Sequence, residues 1–227
     1  MRCFALIPAA GVGTRFGGSV PKQYALLDGR PVLAHSIARL REGLPLAEPP
    51  RVLLAPDDRW FDEQCAGGIA LRCGGATRGA TVRGGLESLA DVARDDDWVL
   101  VHDAARPCVD RESLQRLTEA LADDPVGGLL AIPVRATLKR ADDAGRVIRT
   151  ESREGVWLAQ TPQMFRYALL RRALAAAGAD ACTDEAQAVE ALGLRPRLVE
   201  GRSTNLKITF ADDLVLAEAI VRRQPSR

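Results

Sequence analysis

Apolar residues in this chain fall into short continuous runs, separated by stretches where they recur every three or four positions. Phe4-Ala5-Leu6-Ile7, Arg51 to Ala55, Ala70 to Cys73, Trp98 to Val101 and Gly128 to Ile132 are continuous runs, the pattern of strands buried on both faces. Between them, Leu33, Ile37 and Leu40 mark one helical face, as do Val82, Leu86 and Leu89, and Leu114, Leu117 and Leu121. The turn Asp28-Gly29-Arg30-Pro31 leads into the first helix, with Pro31 suited to its first turn. Strands alternating with helices predict an α/β fold: a Rossmann-like, mostly parallel sheet with helices on both faces. Later, Val156 to Gln160 reads as a strand, and Leu169, Leu170 and Leu174 mark a helix. Thr183 is expected to cap a further helix that ends at Gly193. Arg197 to Glu200 and Asn205 to Ile208 read as two short strands. A last helix from Ala211 to Arg223 is expected to turn Leu214, Leu216, Ala217, Ile220 and Val221 inwards.

Residues Ala136 to Ser152 break this rhythm. Two β-like runs, Thr137 to Arg140 and Val147 to Thr150, flank the turn Asp142-Asp143-Ala144-Gly145 and predict a protruding hairpin. It has too few apolar residues for a core of its own, and an isolated hairpin is marginal in water. It either packs on another surface, such as a second subunit, or forms a surface loop. The expected organisation is one domain over 1–227 with an inserted β-arm at 136–152.

Composition narrows the class. With 227 residues, 47% hydrophobic and 27% charged, the chain reads as a globular domain with a sizeable core. A net charge of +1 gives no electrostatic footprint for nucleic acid or a membrane surface. No apolar run approaches the roughly 20 residues of a membrane span. The N-terminal run is shorter than a signal peptide requires. Cys3, Cys65, Cys73, Cys108 and Cys182 form no Cys-x-x-Cys pair, which favours reduced thiols and a cytoplasmic setting.

In a parallel sheet, ligands bind beyond the carboxyl ends of the strands, so the loops there carry the candidate chemistry. After the first strand comes Pro8-Ala9-Ala10-Gly11-Val12-Gly13-Thr14-Arg15, small and glycine-rich, then Pro21-Lys22. Such a loop exposes backbone N–H groups to an anion, and Arg15 and Lys22 add two positive charges. A dinucleotide fingerprint is excluded because Phe16 stands at the third glycine position and Pro21 interrupts a following helix. A Walker loop is excluded because Gly17-Gly18-Ser19 lacks its lysine. A polyphosphate site remains, with a tight surface turn as the bland alternative. After the fourth strand, Val101-His102-Asp103-Ala104-Ala105-Arg106-Pro107 places an acid where sugar hydroxyls or a triphosphate-bound metal would lie; a local Asp103–Arg106 pair is the structural alternative.

These segments resemble nucleotidyltransferases that join a nucleoside triphosphate to a sugar or polyol phosphate. Pro8-Ala9-Ala10-Gly11 with Pro21-Lys22-Gln23-Tyr24 is most similar to the 2-C-methyl-D-erythritol 4-phosphate cytidylyltransferase family. His102 to Pro107, Gly74 to Val82, Pro133 to Lys139, Trp157 to Phe165, Thr183 to Ala186 and Glu200 to Lys207 match its other segments in order. The resemblance implies CTP contacts from Pro8, Ala9, Ala10, Gly11, Gly13, Gly75, Thr81, Asp103 and Ala104. It implies polyol phosphate contacts from Asp103, Arg106, Thr137, Arg153, Thr161, Thr183 and Lys207. Arg15, Lys22 and Lys207 are its implied catalytic cations. The resemblance also implies Mg²⁺, held mainly by the triphosphate, with Asp103 as its protein contact. A homodimer is implied, in which Thr137 and Arg153 act across the subunits; the family has aspartate where this chain has Ala136.

The implied reaction is attack of the phosphate of 2-C-methyl-D-erythritol 4-phosphate on the α-phosphorus of CTP. It gives 4-diphosphocytidyl-2-C-methyl-D-erythritol and pyrophosphate. That nucleophile is already largely anionic, its second pKa being about 6, so no general base is needed. Two alternatives stand: another polyol phosphate such as ribitol 5-phosphate, or a nucleotide-binding module without activity.

Overall fold

The computed structural model describes residues 1–11, 13, 16–17, 20–62, 65, 67–176 and 182–224. In chain order its elements begin β1 (Cys3–Pro8), β2 (Leu26–Leu27), β3 (Arg30–Pro31), α1 (Val32–Gly43), β4 (Arg51–Leu53), β5 (Ile69–Leu71), α2 (Arg78–Glu87), β6 (Trp98–Val101), α3 (Arg111–Leu121) and β7 (Gly127–Pro133). There follow β8 (Leu138–Ala141), β9 (Val147–Glu151), β10 (Trp157–Arg166), α4 (Tyr167–Ala175), α5 (Glu185–Glu190), β11 (Arg197–Glu200) and α6 (Asp213–Val221).

The continuous apolar runs become one seven-stranded sheet in the order β11-β7-β10-β6-β1-β4-β5. β1 lies parallel to β4 and β6, β4 to β5, and β7 to β11. β10 runs antiparallel to both its neighbours. Alternate side chains of a strand point to opposite faces, and β1 divides accordingly. Cys3, Ala5 and Ile7 pack with Leu33 and Ile37 of α1 and Leu114 and Leu117 of α3, whereas Phe4 and Leu6 pack with Val82 and Leu86 of α2 and Leu170 of α4. Each such buried aliphatic contributes about 1.5–3 kcal/mol, so the loops beyond the strands sit on a rigid frame.

A third, smaller core joins Ala105 and Cys108 to Ile208, Ala217 and Val221. It fastens the loop after β6 to the segment before α6. That segment is not the strand expected over Asn205 to Ile208. It is a strap: the Ile208 N–H donates to the Ala105 carbonyl, and the Asn205 side chain donates to the Thr161 carbonyl at 2.9 Å. α6 also differs from expectation. It starts at Asp213, whose carboxylate accepts from the Thr209 and Phe210 N–H groups, and it buries Ala217 and Val221 while leaving Leu216 60% exposed. At α5 the cap is Asp184, accepting from the Gln187 N–H, not Thr183.

The expected hairpin is β8 paired with β9, a separate two-stranded sheet with most residues exposed. Asp142 organises its turn by accepting from the Ala144 and Arg146 N–H groups. Among the described residues no helix is long and apolar enough to cross a membrane, and all five cysteines are free thiols.

Candidate active site

The loop after β1 is braced from below. Gln23, itself buried, donates to the Ala9 carbonyl at 2.8 Å and the Gly11 carbonyl at 3.0 Å. Its neighbour Lys22 lies in a single helical turn over Lys22–Tyr24 and donates through Nζ to the Ile208 carbonyl at 2.9 Å. Gly13 has φ +66, and a Cβ there would lie 2.9 Å from Lys22 Cγ. Glycine therefore lets the lysine stem cross the loop. The expected cation Arg15 lies outside the described residues.

Opposite this loop, Thr77 caps α2 by accepting from the Ala80 N–H. The Thr81 hydroxyl donates to the Thr77 carbonyl at 3.0 Å and accepts from the Gly75 N–H at 3.1 Å. A Cβ on Gly75 would sit 2.6 Å from that of Ala80, so glycine is needed for the loop to fold back onto its own helix. The Thr81 hydroxyl has one lone pair left to offer.

A cleft of about 260 Å³ opens between the two loops. Pro8, Ala9, Ala10 and Gly11 line one side, Gly75 and Thr81 the other, and Asp103, Ala104, Lys22 and Lys207 close it. A second cavity of about 140 Å³ adjoins it, lined by Arg106, Thr161 and Thr183 among others. Arg78, Asp103 and Lys207 line both and form the wall between them. Thr137 and Arg153 line neither: both are exposed, and Arg153 donates to the Arg135 carbonyl. Thr183 is exposed at the rim, its hydroxyl donating to the Gln187 side chain at 3.1 Å.

The dividing wall is a charge network. Asp103 Oδ2 lies 2.9 Å from Lys207 Nζ and 3.4 Å from Arg106 Nε, and Oδ1 lies 3.3 Å from Arg78 Nη2. Burial alone would raise the Asp103 pKa, but Arg78, Lys207 and Arg106 hold it far below the ordinary carboxylate range. Arg78 also pairs with Glu185, whose side chain is 1% exposed and whose Oε2 has no hydrogen-bond partner among the described residues. Arg106 is tethered by donating to the Asn205 carbonyl at 2.7 Å. Neither histidine is available as a base. His35 bonds the Leu27 carbonyl through Nε2 at 2.7 Å, and burial pushes His102 down to about 4.

Arg78, Glu185 and Gln23 were not among the expected site residues. One signal for Arg78 was present: an arginine in the first turn of a helix opposes the helix dipole, so its charge needs a partner elsewhere. As for a metal, no group of three His, Cys, Asp or Glu side chains is arranged to hold one among the described residues. Both Asp103 oxygens are already engaged by cations. The described residues thus do not fit a resident metal ion.

The cleft beyond the parallel strands, with a cation-lined wall and a second cavity behind it, has the layout of a nucleotidyltransferase site. A family model described as 2-C-methyl-D-erythritol 4-phosphate cytidylyltransferase (IspD) matches residues 3–223. The chain belongs to that family. It is 53% identical over 229 residues to the cytidylyltransferase of that name from Dechloromonas aromatica, covering 97% of this chain and 98% of that one. With the protein of that name from Laribacter hongkongensis the identity is 55% over 228 residues, covering 97% and 96%. A crystal structure of a 4-diphosphocytidyl-2C-methyl-D-erythritol synthase superposes with a TM-score of 0.86 at 39% identity, covering 97% of this chain and 98% of that chain. The 2-C-methyl-D-erythritol 4-phosphate cytidylyltransferase of Thermus thermophilus gives 0.81 at 38% identity, covering 98% and 100%.

Proposed function

We propose that this enzyme transfers the cytidylyl group of CTP to 2-C-methyl-D-erythritol 4-phosphate. One observation carries the reading: two adjoining cavities share Arg78, Asp103 and Lys207 as a common wall. Two anionic substrates bound on either side of that wall would meet at it. CTP occupies the larger cleft, its base against Gly75 and Thr81 and its phosphates on the loop after β1. The polyol phosphate occupies the smaller cavity. A phosphate oxygen of the polyol forms a new bond to the α-phosphorus of CTP, the α–β bridging bond breaks in line with it, and pyrophosphate leaves with the electron pair.

No proton has to be removed, because the attacking phosphate is already anionic, and both histidines are held in neutral structural roles. The rate then comes from positioning and charge neutralisation. Lys22, Lys207 and Arg78 supply it, joined by Arg15. Mg²⁺ enters as the chelate of CTP, where it neutralises phosphate charge. The chain acts as one domain over 1–227. Its arm, 136–152, reaches a second subunit and brings Thr137 and Arg153 to the partner's smaller cavity, which those residues do not line in their own chain.

Pyrophosphate release from CTP tests the reading, with 2-C-methyl-D-erythritol 4-phosphate and ribitol 5-phosphate supplied separately. Release with the first and little with the second is expected. Preference for ribitol 5-phosphate, or CTP binding without release in either case, would overturn it.

A further inference from the structure

We propose that His102 is a positioning residue: it fixes the direction of a hydrogen-bond chain that leaves Thr161 able only to accept from a substrate. Which substrate group is read rests on the proposed function; the direction of the chain does not.

His102 is fully buried just beyond β6, and its ring links the loop after β6 to β10. Nε2 lies 3.0 Å from the Arg106 carbonyl and Nδ1 lies 3.0 Å from Thr161 Oγ1. A carbonyl oxygen can only accept, so Nε2 carries the proton. The neutral ring then presents a lone pair at Nδ1, and the Thr161 hydroxyl hydrogen points at it. Thr161 Oγ1 also accepts from the Asp103 N–H at 3.0 Å. A hydroxyl has one donor and two lone pairs; here the donor and one lone pair are spent inside the protein. One lone pair remains unspent, and Thr161 lines the smaller cavity.

Phosphate oxygens at neutral pH offer only lone pairs, so Thr161 does not receive the phosphate. A polyol hydroxyl can donate into it. The phosphate is left to the cationic wall, and Thr161 reads a hydroxyl of the substrate. The same ring ties the Arg106 carbonyl and, through Thr161, the Asp103 N–H. Asp103 and Arg106 therefore emerge from one clamped turn. The opposite tautomer would turn the Thr161 hydrogen into the cavity and leave the Arg106 carbonyl without its donor.

Two measurements test this. Heteronuclear NMR of the imidazole nitrogens reads the tautomer directly, with only two histidines to assign and His35→Gln to separate them. The Nε2–H form at neutral pH is expected; the Nδ1–H form or an imidazolium would overturn the proposal whatever the substrate. The second is kinetic. Thr161→Val should raise KM for the polyol phosphate about tenfold or more, with a smaller loss of CTP affinity by calorimetry, because Asp103 also loses the acceptor for its N–H. Thr161→Ser should recover most of that loss. His102→Asn, which keeps an acceptor for Thr161, should be milder than His102→Leu. Among deoxy analogues of the polyol phosphate, the one most impaired with the parent enzyme should lose little further on Thr161→Val. An undiminished penalty for every analogue on that variant would mean Thr161 reads no hydroxyl, and the proposal would fail. Absence of turnover with any polyol phosphate would fault the proposed function while the tautomer test still stands.

Discussion

Lys207 Nζ sits 2.9 Å from Asp103 Oδ2 across the wall that separates the two cavities. The lysine comes from the strap before α6 and the aspartate from the loop after β6, and the Ile208–Ala105 backbone bond fixes one against the other. Asp103 thus holds Lys207, Arg78 and Arg106 in place at the wall where the proposed function puts the phosphates. That ordering removes reorganisation from the catalytic step.

Asp103→Asn should therefore destabilise the free enzyme by roughly 3–5 kcal/mol, because Arg78, Arg106 and Lys207 lose their common counter-charge in a largely buried place. Added CTP should restore more stability to this variant than to the parent, since ligand binding to the native state stabilises by mass action and phosphates replace the lost charge. Thermal unfolding with and without CTP measures both. Equal melting temperatures for variant and parent without CTP would show that Asp103 does not organise the wall.

Lys22→Ala should lower kcat by about 10²–10³-fold, the range for losing one preorganised charge at a reacting phosphate. Its stem lies over Gly13 rather than in a core, so circular dichroism should match the parent. Arg15→Ala is expected to behave likewise. Activity and fold both unchanged in either variant would remove that residue from the phosphate site.

Much of the frame was legible because the strands are buried on both faces and the hairpin has no apolar face. The strap over Asn205 to Ile208 was misread as a strand. Its alternation is real, but a sequence does not say that Asn205 will bond the Thr161 carbonyl rather than a neighbouring strand. α6 is apolar nearly all round, so no periodic face distinguishes exposed Leu216 from buried Ala217. Arg78 went unnoticed because its partner Glu185 is 107 residues away. Its place in the first turn of α2 hints that the charge needs a partner but does not say which residue that is. The hydroxyls of Thr81 and Thr161 were expected as ligand groups; the sequence does not show that Thr81 donates to the Thr77 carbonyl or that Thr161 Oγ1 lies 3.0 Å from His102 Nδ1.

The lone pair left on Thr81 suits the exocyclic amine of cytosine and opposes the carbonyl that uracil carries there. CTP should be preferred to UTP by about 10²-fold or more in kcat/KM, since a site with a fixed hydrogen-bonding direction rejects the wrong partner strongly. ATP and GTP should be poorer still in a cleft closed by Gly75 against its own helix. Thr81→Val should narrow the CTP/UTP ratio. Equal use of UTP by the parent enzyme would sink this account of base selection.

Acid should weaken the fold through His102. Its pKa falls from 6.5 to about 4 on folding because burial disfavours the charged ring. Below pH 6.5 the unfolded chain takes up a proton that the folded chain refuses. Stability therefore falls as pH drops from 6.5 toward 4, by roughly 2 kcal/mol between pH 7 and 5 from this group alone. His35 is lowered as well, again mainly by burial, and adds in the same direction. Urea unfolding across this range should show the slope, and His102→Asn should flatten it. A stability independent of pH between 7 and 5 would contradict the buried neutral ring.

The last prediction concerns the arm. Val147 and Ile148 are 60% and 58% exposed on a hairpin with no core, and Thr137 and Arg153 at its base line neither cavity of their own chain. If the arm completes the partner's smaller cavity, deleting Asp142 to Arg149 should give a monomer that binds CTP but uses the polyol phosphate poorly. Subunit mixing is sharper. Arg153→Ala and Lys22→Ala chains should each be strongly impaired alone, but a heterodimer would gather both lesions in one site and leave the other whole. With random exchange half the dimers are mixed, so roughly a quarter of parental activity should return. Exchange proven by mass spectrometry without any recovery would mean that each site is built within a single chain.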